Sequence, residues 1–145
     1  MAPPDSPDAS TTALEAHTPP LVLIVDDEAP IAEALAMIVE EAGYPTLTAF
    51  RGPVGLELAR AHHPALIFTD MMMPKLDGAG LIAAVRRDAE ASHTPAPIII
   101  AMTAGGLQSI QRADADGILP KPFTIEDVEV ILRRWLPRAE EDGEA

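Results

Sequence analysis

Cysteine is absent from the 145 residues, which excludes disulfide bonds, thiolate chemistry and cysteine-ligated zinc or iron. Basic side chains are scarce, because 10 Lys and Arg stand against 23 Asp and Glu, giving a formal net charge of −13. A chain with this balance has no basic surface for a nucleic-acid backbone. We therefore expect its partners to be proteins or a cation, and we expect no nucleic acid among them.

Long hydrophobic runs are also missing. The longest, at 21–25 and 97–102, are far shorter than the roughly 20 residues that cross a bilayer. The N-terminus lacks the basic and apolar pattern of a signal peptide. These absences predict a cytoplasmic protein without a membrane partner.

Three regions differ in composition. Residues 1–19 are rich in Pro, Ser, Thr and Ala with little periodic apolar content, which predicts a disordered leader. Residues 20–137 contain every regular pattern and predict one folded domain, as the length does. Residues 138–145 are acidic and predict a flexible tail.

Short apolar segments alternate with segments of helical periodicity. The apolar segments predict five strands, at 21–25, 46–49, 65–69, 98–102 and 117–119. Helical spacing predicts four clear helices, at about 31–42, 52–61, 78–90 and 124–136. Apolar strands that alternate with helices are typical of a parallel sheet covered on both faces. The predicted fold class is therefore α/β, with a doubly wound five-stranded parallel sheet.

The apolar positions of three helices predict which side chains face the sheet. They are Ile31, Leu35, Ile38, Val39 and Ala42 in the first helix, Val54, Leu56, Leu58 and Ala59 in the second, and Ile125, Val128, Ile131, Leu132 and Trp135 in the last.

Acidic residues follow two predicted strands at the point where each ends. Asp26 and Asp27 come after the first strand, and Asp70 comes after the third. In a sheet of order 2-1-3-4-5 these strands are neighbours, so the three carboxylates converge. Converging carboxylates repel one another or take up protons unless a cation joins them, and oxygen ligands alone suit Mg²⁺. Read singly, Asp26 and Asp27 could instead cap the first helix.

Two further polar residues reach the same predicted edge. Thr103 follows the fourth strand, and Lys121 follows the fifth. A cation, a hydroxyl and an ammonium around a carboxylate form a site for a phosphoryl group, because each donates to or neutralises one of its oxygens.

Four motifs at these strand ends resemble those of the response-regulator receiver domain of two-component signalling, a CheY-like family. They are Val25-Asp26-Asp27-Glu28, Thr69-Asp70-Met71-Met72-Met73-Pro74 with Asp77-Gly78, Met102-Thr103-Ala104, and Lys121-Pro122-Phe123. Each motif is weak alone, but the four in this order are specific, and they span about residues 20–137. The resemblance supplies the flavodoxin-like strand order 2-1-3-4-5.

The resemblance implies that Asp70 accepts a phosphoryl group from a histidine kinase or a phosphotransfer protein. It further implies that Asp27, Asp70 and the backbone carbonyl of Met72 hold Mg²⁺, with Asp26 acting through water. The protein would then switch its affinity for a downstream protein target, or relay the phosphoryl group, as a monomer or a weak homodimer. Beyond this transfer and a slow dephosphorylation, no enzyme activity is implied.

Around the phosphoacceptor, the resemblance implies that Lys121 pairs with the aspartate or its phosphate and that Thr103 turns inward to bind a phosphoryl oxygen. The family pattern also allows a cis Lys121–Pro122 bond. Asp77 is predicted to cap the following helix.

Two departures from the family pattern bear on signalling. Ile118 stands where the family usually has an aromatic residue, so the usual coupling between threonine and aromatic side chain is in doubt. Lys121 follows Thr103 by only 18 positions. This spacing predicts that the helix between the last two strands, which is the fourth helix of the family pattern, is shortened. We therefore expect output to use a surface other than residues 107–119.

Met72 and Gly105 offer no polar side chain to orient water, which predicts a long-lived aspartyl phosphate.

Three alternatives remain open. One is a pseudo-receiver that docks partners without taking phosphate. The second is a Mg²⁺-dependent aspartate-nucleophile phosphatase, although that class has its nucleophile after the first strand in an Asp-x-Asp arrangement. The third is a flavin binder on the same sheet, although the acidic first loop lacks the backbone donors and Gly, Ser or Thr that a phosphate needs.

Overall fold

The computed structural model describes residues 19–73, 76–104 and 115–137. Its elements alternate along the chain, and their bounds lie close to the predicted ones. In chain order they are β1 (Val22–Val25), α1 (Ala29–Glu41), β2 (Thr46–Ala49), α2 (Gly52–His62), β3 (Leu66–Asp70), α3 (Gly78–Ser92), β4 (Ile98–Thr103), β5 (Gly117–Pro120) and α4 (Ile125–Trp135).

The five strands form one parallel sheet in the order β2-β1-β3-β4-β5. Val25 at the end of β1 pairs with Thr69, and Asp70 at the end of β3 pairs with Met102. The predicted doubly wound α/β sheet is confirmed, together with the strand order that the resemblance supplied. In this register the carboxyl ends of β1, β3, β4 and β5 lie along one edge.

Successive residues of each strand alternate between two cores, as the pleat of a strand requires. On one side Ile24 and Phe68 pack with Leu35 of α1 and Leu132 of α4. On the other side the core is formed with α2 and α3, and it includes Leu23, Val25, Ile67, Ala59 and Leu81. Helices therefore cover both faces of the sheet, which explains why the strands are apolar throughout.

The buried face of α1 differs from the predicted one. Its buried positions are Ala32, Leu35, Ala36 and Val39. Ile31, Ile38 and Ala42 are only partly buried, so the face is rotated by about one residue from the prediction. Small alanines at the centre let the helix approach the sheet closely, and the larger isoleucines pack at its sides.

Helix α2 contacts the sheet through small residues, and the prediction that Val54 faces the core is wrong. Val54 is 38% exposed, whereas Gly52, Gly55 and Ala59 are buried. A Cβ atom added to Gly55 would lie 2.7 Å from a methyl carbon of Val25. The helix therefore lies too close to β1 for a larger side chain at this position.

Helix α4 follows its prediction except at its first residue. Val128 and Leu132 are buried and Ile131 and Trp135 are partly buried, but Ile125 is 60% exposed. The predicted inward position of Ile125 is wrong because the first turn of α4 extends beyond the apolar cluster that Val128 enters.

Two helices begin with side-chain caps. The Gly80 N–H donates to Asp77 Oδ1 at 2.9 Å, which confirms the predicted cap of α3. At the start of α4 the Asp127 N–H donates to Thr124 Oγ1 at 3.0 Å, and the Thr124 N–H donates to the Asp127 carboxylate at 2.9 Å. This reciprocal capping box satisfies two helix-terminal donors and fixes where α4 begins.

Several predictions concern residues outside the described ranges. The shortened helix between β4 and β5 falls mostly on residues 105–114, the leader predicted over 1–19 falls on residues 1–18 except for its last residue, and the tail falls on residues 138–145. Among the described residues, no helix has both the length and the apolar character needed to cross a membrane.

The capping box of α4 predicts a measurable stability difference. Thr124→Ala removes the hydroxyl that accepts the Asp127 N–H, and we expect it to lower the free energy of unfolding by about 1 kcal/mol. Urea denaturation followed by circular dichroism measures the change. Thr124→Ser keeps the hydroxyl and serves as the control, so equal stability of the Ala and Ser variants would refute the role of the cap.

Candidate functional site

The sheet brings all five predicted site side chains to one edge. Asp26 and Asp27 directly follow β1, Asp70 is the last residue of β3, Thr103 is the last residue of β4, and Lys121 follows β5. The Lys121 N–H donates to the Thr103 carbonyl at 3.0 Å, which extends the β4–β5 pairing up to the lysine. The lysine is therefore positioned by the backbone register and not by its side chain alone.

The three aspartates form a compact cluster. One carboxylate oxygen from each lies within 4.8 Å of the others. Asp26 is fully buried and Asp70 is 5% exposed, whereas Asp27 is open to solvent. Like charges at this spacing repel strongly when little water separates them, so the cluster favours either a proton or a cation.

The donor set fits a magnesium ion. The cluster offers carboxylate oxygens, the hard ligands that Mg²⁺ prefers. Asp26 Oδ1 accepts the Glu28 N–H at 2.9 Å, and Asp26 Oδ2 lies against the Lys121 ammonium. The solvent-exposed Asp27 carboxylate is therefore the most accessible ligand that the cluster offers to an ion.

Lys121 supplies the positive charge of the site. Its Nζ lies 2.8 Å from Asp26 Oδ2 and 3.4 Å from Asp70 Oδ1. The shorter contact is an ion pair that satisfies the buried Asp26 Oδ2. The ammonium therefore lies between the two acids and closer to Asp26 than to Asp70.

Burial raises the pKa of Asp70 to about 6, and the negative charge of Asp26 adds to this effect. The Met72 N–H, which donates to Asp70 Oδ1 at 3.3 Å, and the Lys121 ammonium act in the opposite direction. For Lys121, burial favours the neutral amine, but Asp26 and Asp70 outweigh it and raise the pKa. Near neutral pH Asp70 is thus mostly an ionised carboxylate facing a charged ammonium.

The loop after β3 is held by its neighbours. Met71 and Met73 are buried and Met72 is 76% exposed, so the predicted packing role of the methionine run holds for the outer two. A Cβ atom on Gly78 would lie 2.5 Å from the Asp70 carbonyl oxygen, and one on Gly52 would overlap the Leu76 carbonyl. The start of α2 and the start of α3 therefore both touch this loop through glycine.

Gly52 is a supporting residue that the sequence did not identify as part of the site. Its only sequence signal is its position before Pro53, which predicts the start of a helix. The need for glycine arises because the start of α2 meets a loop that is far from it along the chain. That contact is visible only in the folded protein.

The alternative that Asp26 and Asp27 cap α1 is wrong. The N-cap of α1 is Glu28, and it makes no side-chain capping bond within the described structure.

The Lys121–Pro122 bond is cis, in line with the family pattern. Ile118 is 37% exposed on β5, next to the fully buried Leu119.

Comparisons with known proteins agree with this geometry. The family model of the response regulator receiver domain matches residues 22–133. The chain is 36% identical over 124 residues to the DNA-binding dual master transcriptional regulator RpaA of Synechocystis sp., covering 83% of this chain and 51% of that protein. It is 31% identical over 127 residues to Response regulator Rre1 of the same organism, covering 86% and 54%. The chain thus spans about half the length of these curated relatives.

Solved structures show the same fold. The chemotaxis response regulator CheY4 of Vibrio cholerae has a TM-score of 0.73 and 31% identity, covering 82% of this chain and all of that one. The receiver domain of the sensor histidine kinase PA1611 of Pseudomonas aeruginosa, with a magnesium ion coordinated in its active-site cleft, has a TM-score of 0.71 and 26% identity, covering 81% and 98%. With its sheet order, its acidic cluster and a family match over most of its length, the chain belongs to the response-regulator receiver domain family.

Proposed function

We propose that Asp70 accepts a phosphoryl group from the phosphohistidine of a histidine kinase or a phosphotransfer protein. The arrangement of Asp70 beside a buried ammonium and two further carboxylates is the observation that supports this proposal. A phosphorylated Asp70 would shift the protein between two forms with different affinities for a downstream protein. Onward relay of the phosphoryl group uses the same chemistry.

The transfer exchanges one bond for another. An ionised Asp70 oxygen attacks the phosphorus, the bond from phosphorus to the histidine nitrogen breaks, and the imidazole leaves with the electron pair. Lys121 neutralises negative charge on the phosphoryl oxygens, and Thr103 donates its hydroxyl to one of them. A carboxylate is a weak nucleophile, so alignment and neutralisation supply most of the assistance.

The residues proposed to hold Mg²⁺ are Asp27, Asp70 and the backbone carbonyl of Met72, with Asp26 acting through a water molecule. The ion would supply positive charge that neutralises the phosphoryl oxygens during transfer. The buried Asp26 has a separate task, because its two oxygens bond the Glu28 N–H and hold the Lys121 ammonium. Asp26 thus positions the lysine beside the acceptor.

The proposed partners are proteins. The relative RpaA is named as a DNA-binding regulator, but this chain covers only 51% of it, and the net charge of −13 disfavours a phosphate backbone. A cytoplasmic location, and a monomer or weak homodimer, stay predictions. So does an output surface other than residues 107–119.

The alternatives receive less support. A pseudo-receiver would not need the complete set of three aspartates, a threonine and a lysine at one edge. An aspartate-nucleophile phosphatase would need an Asp-x-Asp arrangement after β1, where this chain has Asp26-Asp27-Glu28. A flavin binder would place the phosphate of its flavin at the loop after β1, where the carboxylates of Asp26 and Asp27 would repel it.

The direct test is phosphorylation by a small donor. Incubation with Mg²⁺ and acetyl phosphate is expected to add one phosphoryl group to the parent and none to Asp70→Asn, measured by intact mass. Asp88→Asn, which changes an exposed aspartate on α3, is the matched control and should be phosphorylated like the parent. An unmodified parent that also fails to bind beryllofluoride with Mg²⁺ would overturn the proposal.

Met72 predicts the lifetime of the aspartyl phosphate. Its side chain is 76% exposed and apolar, so it offers nothing to orient an attacking water. We expect Met72→Asn to speed loss of the phosphoryl group by at least about threefold, since the amide positions that water. The decay of the phosphorylated mass after donor removal measures the rate.

Met37→Asn is the control for this experiment, because Met37 is 63% exposed on α1. It should decay at the parent rate. Equal decay in Met72→Asn and the parent would remove the argument from Met72.

The raised pKa of Asp70 predicts a pH-dependent stability without metal. The folded pKa of about 6 exceeds the ordinary 3.8, so between these values the folded protein holds a proton that the unfolded chain has lost. The free energy of unfolding should therefore fall as pH rises from about 4 to 7. We expect a loss of about 1–2 kcal/mol relative to Asp70→Asn, less than the full shift implies because water screens the carboxylate.

Urea unfolding of both proteins in EDTA at several pH values tests this. Asp26, Asp27 and Lys121 face Asp70 in both proteins, so the difference between the two curves reports the charge of residue 70 together with its effect on these neighbours. Mg²⁺ at pH 7 should restore stability to the parent, because it binds only the folded site. Parallel curves with no Mg²⁺ effect would contradict the prediction.

A further inference from the structure

A second concave site lies at the end of the sheet opposite Asp70. A cavity of about 750 Å³ opens between the last turns of α2 and α3. Ala59, Ala65, Val85 and Ala89 are among the residues that line it, which makes much of its wall apolar. An apolar hollow of this size is usually covered by a ligand or another segment.

The rim of the cavity is charged. Arg60 Nε lies 2.6 Å from Asp88 Oδ2, and both residues line the opening together with His63. The Arg60 side chain is 57% exposed, so its guanidinium can also pair with an acidic group of an occupant whose apolar part fills the hollow.

The N-terminal part of the chain arrives next to this cavity. The Leu21 carbonyl accepts the N–H of Ala65, a cavity residue, at 2.9 Å. Leu23 and Val25 point into the core formed with α2 and α3, so the alternation of the strand directs Leu21 to the same side. Pro19 and Pro20 are half-buried, so the chain before β1 still contacts the domain at these two residues.

The segment before Pro19 matches the cavity in chemistry and reach. Leu14 is the only large apolar residue between positions 2 and 18, and it lies between Ala13 and Glu15. Residues 1–18 contain three acidic residues and neither lysine nor arginine. Leu14 lies seven positions before Leu21, enough to span up to about 23 Å when extended.

We propose that residues 12–16 of this chain dock in the cavity, with Leu14 against Ala59, Val85 and Ala89 and Glu15 beside Arg60. The segment then straps α2 to α3 and keeps this face from other chains. Because the cavity lies at the far end of the strands from Asp70, docking is independent of phosphoryl acceptance.

The absence of cysteine allows a direct test in the full chain. The pair Leu14→Cys with Ser92→Cys joins the segment to the cavity, since Ser92 lines it at the end of α3. The control pair is Leu14→Cys with Glu41→Cys. Glu41 is exposed at the end of α1, on the other face of the sheet but at the same end of the strands. Under oxidised glutathione we expect the cavity pair to form its intramolecular disulfide about tenfold faster, because docking raises the effective concentration.

Equal rates of disulfide formation in the two pairs would overturn the proposal. Covalent dimers as the main product would also overturn it, because a second copy of the chain would then fill the cavity. Leu14→Asp in the otherwise natural chain provides a second measurement. It should shift the amide NMR signals of Ala59 and Ala89 and leave that of Asp27 unchanged. Phosphorylation of Leu14→Asp by acetyl phosphate should equal that of the parent, so failure of the strap and failure of the phosphoacceptor are separately visible.

Discussion

The ion pair between Lys121 and the buried Asp26 is the interaction on which the site depends. Asp26 is fully buried, and an unpaired carboxylate there would be strongly destabilising. Lys121 neutralises it at 2.8 Å while remaining 3.4 Å from Asp70. One ammonium therefore neutralises the buried Asp26 and lies farther from Asp70. On the proposed function, that asymmetry would leave Asp70 available to an incoming phosphoryl group.

The sheet makes this arrangement possible. Parallel strands with both faces covered place their carboxyl ends at one edge, where the chain leaves the apolar cores. β1, β3, β4 and β5 each deliver a polar residue at that edge, and the Lys121 N–H bond to Thr103 extends the last pairing to the lysine. The charges are thus held by backbone register, so the proposed binding of a phosphoryl group would need little reorganisation of the site.

The two ends of the sheet have different chemistry. The edge with Asp70 is charged and closely supported by backbone, with Gly52 and Gly78 allowing two helices to touch the loop after β3. The opposite end is an apolar hollow with an ion pair at its rim. Phosphoryl chemistry at one end and segment docking at the other would let one small domain carry two separable interactions.

Local patterns in the sequence determined most of the element bounds, the cap at Asp77 and the residue that ends each strand. Periodicity and turn residues act over a few positions, so they are readable without the fold. The strand order could not be read from local patterns, because they allow any parallel arrangement. Only the resemblance of four motifs to a known family selected one order. The five site residues followed from those motifs, and their placement at one edge followed from the order.

Only the tertiary structure decided the contacts between distant segments. The buried face of α1 includes Ala32 and Ala36, and α2 contacts the sheet through Gly55 and not through Val54. The distance between a helix and the sheet depends on all the side chains packed between them, so the pattern of one helix does not determine it. The closer pairing of Lys121 with Asp26 than with Asp70 has the same origin. Sequence specifies which groups are present and where strands end, whereas distances between groups far apart in the chain arise from packing the whole domain.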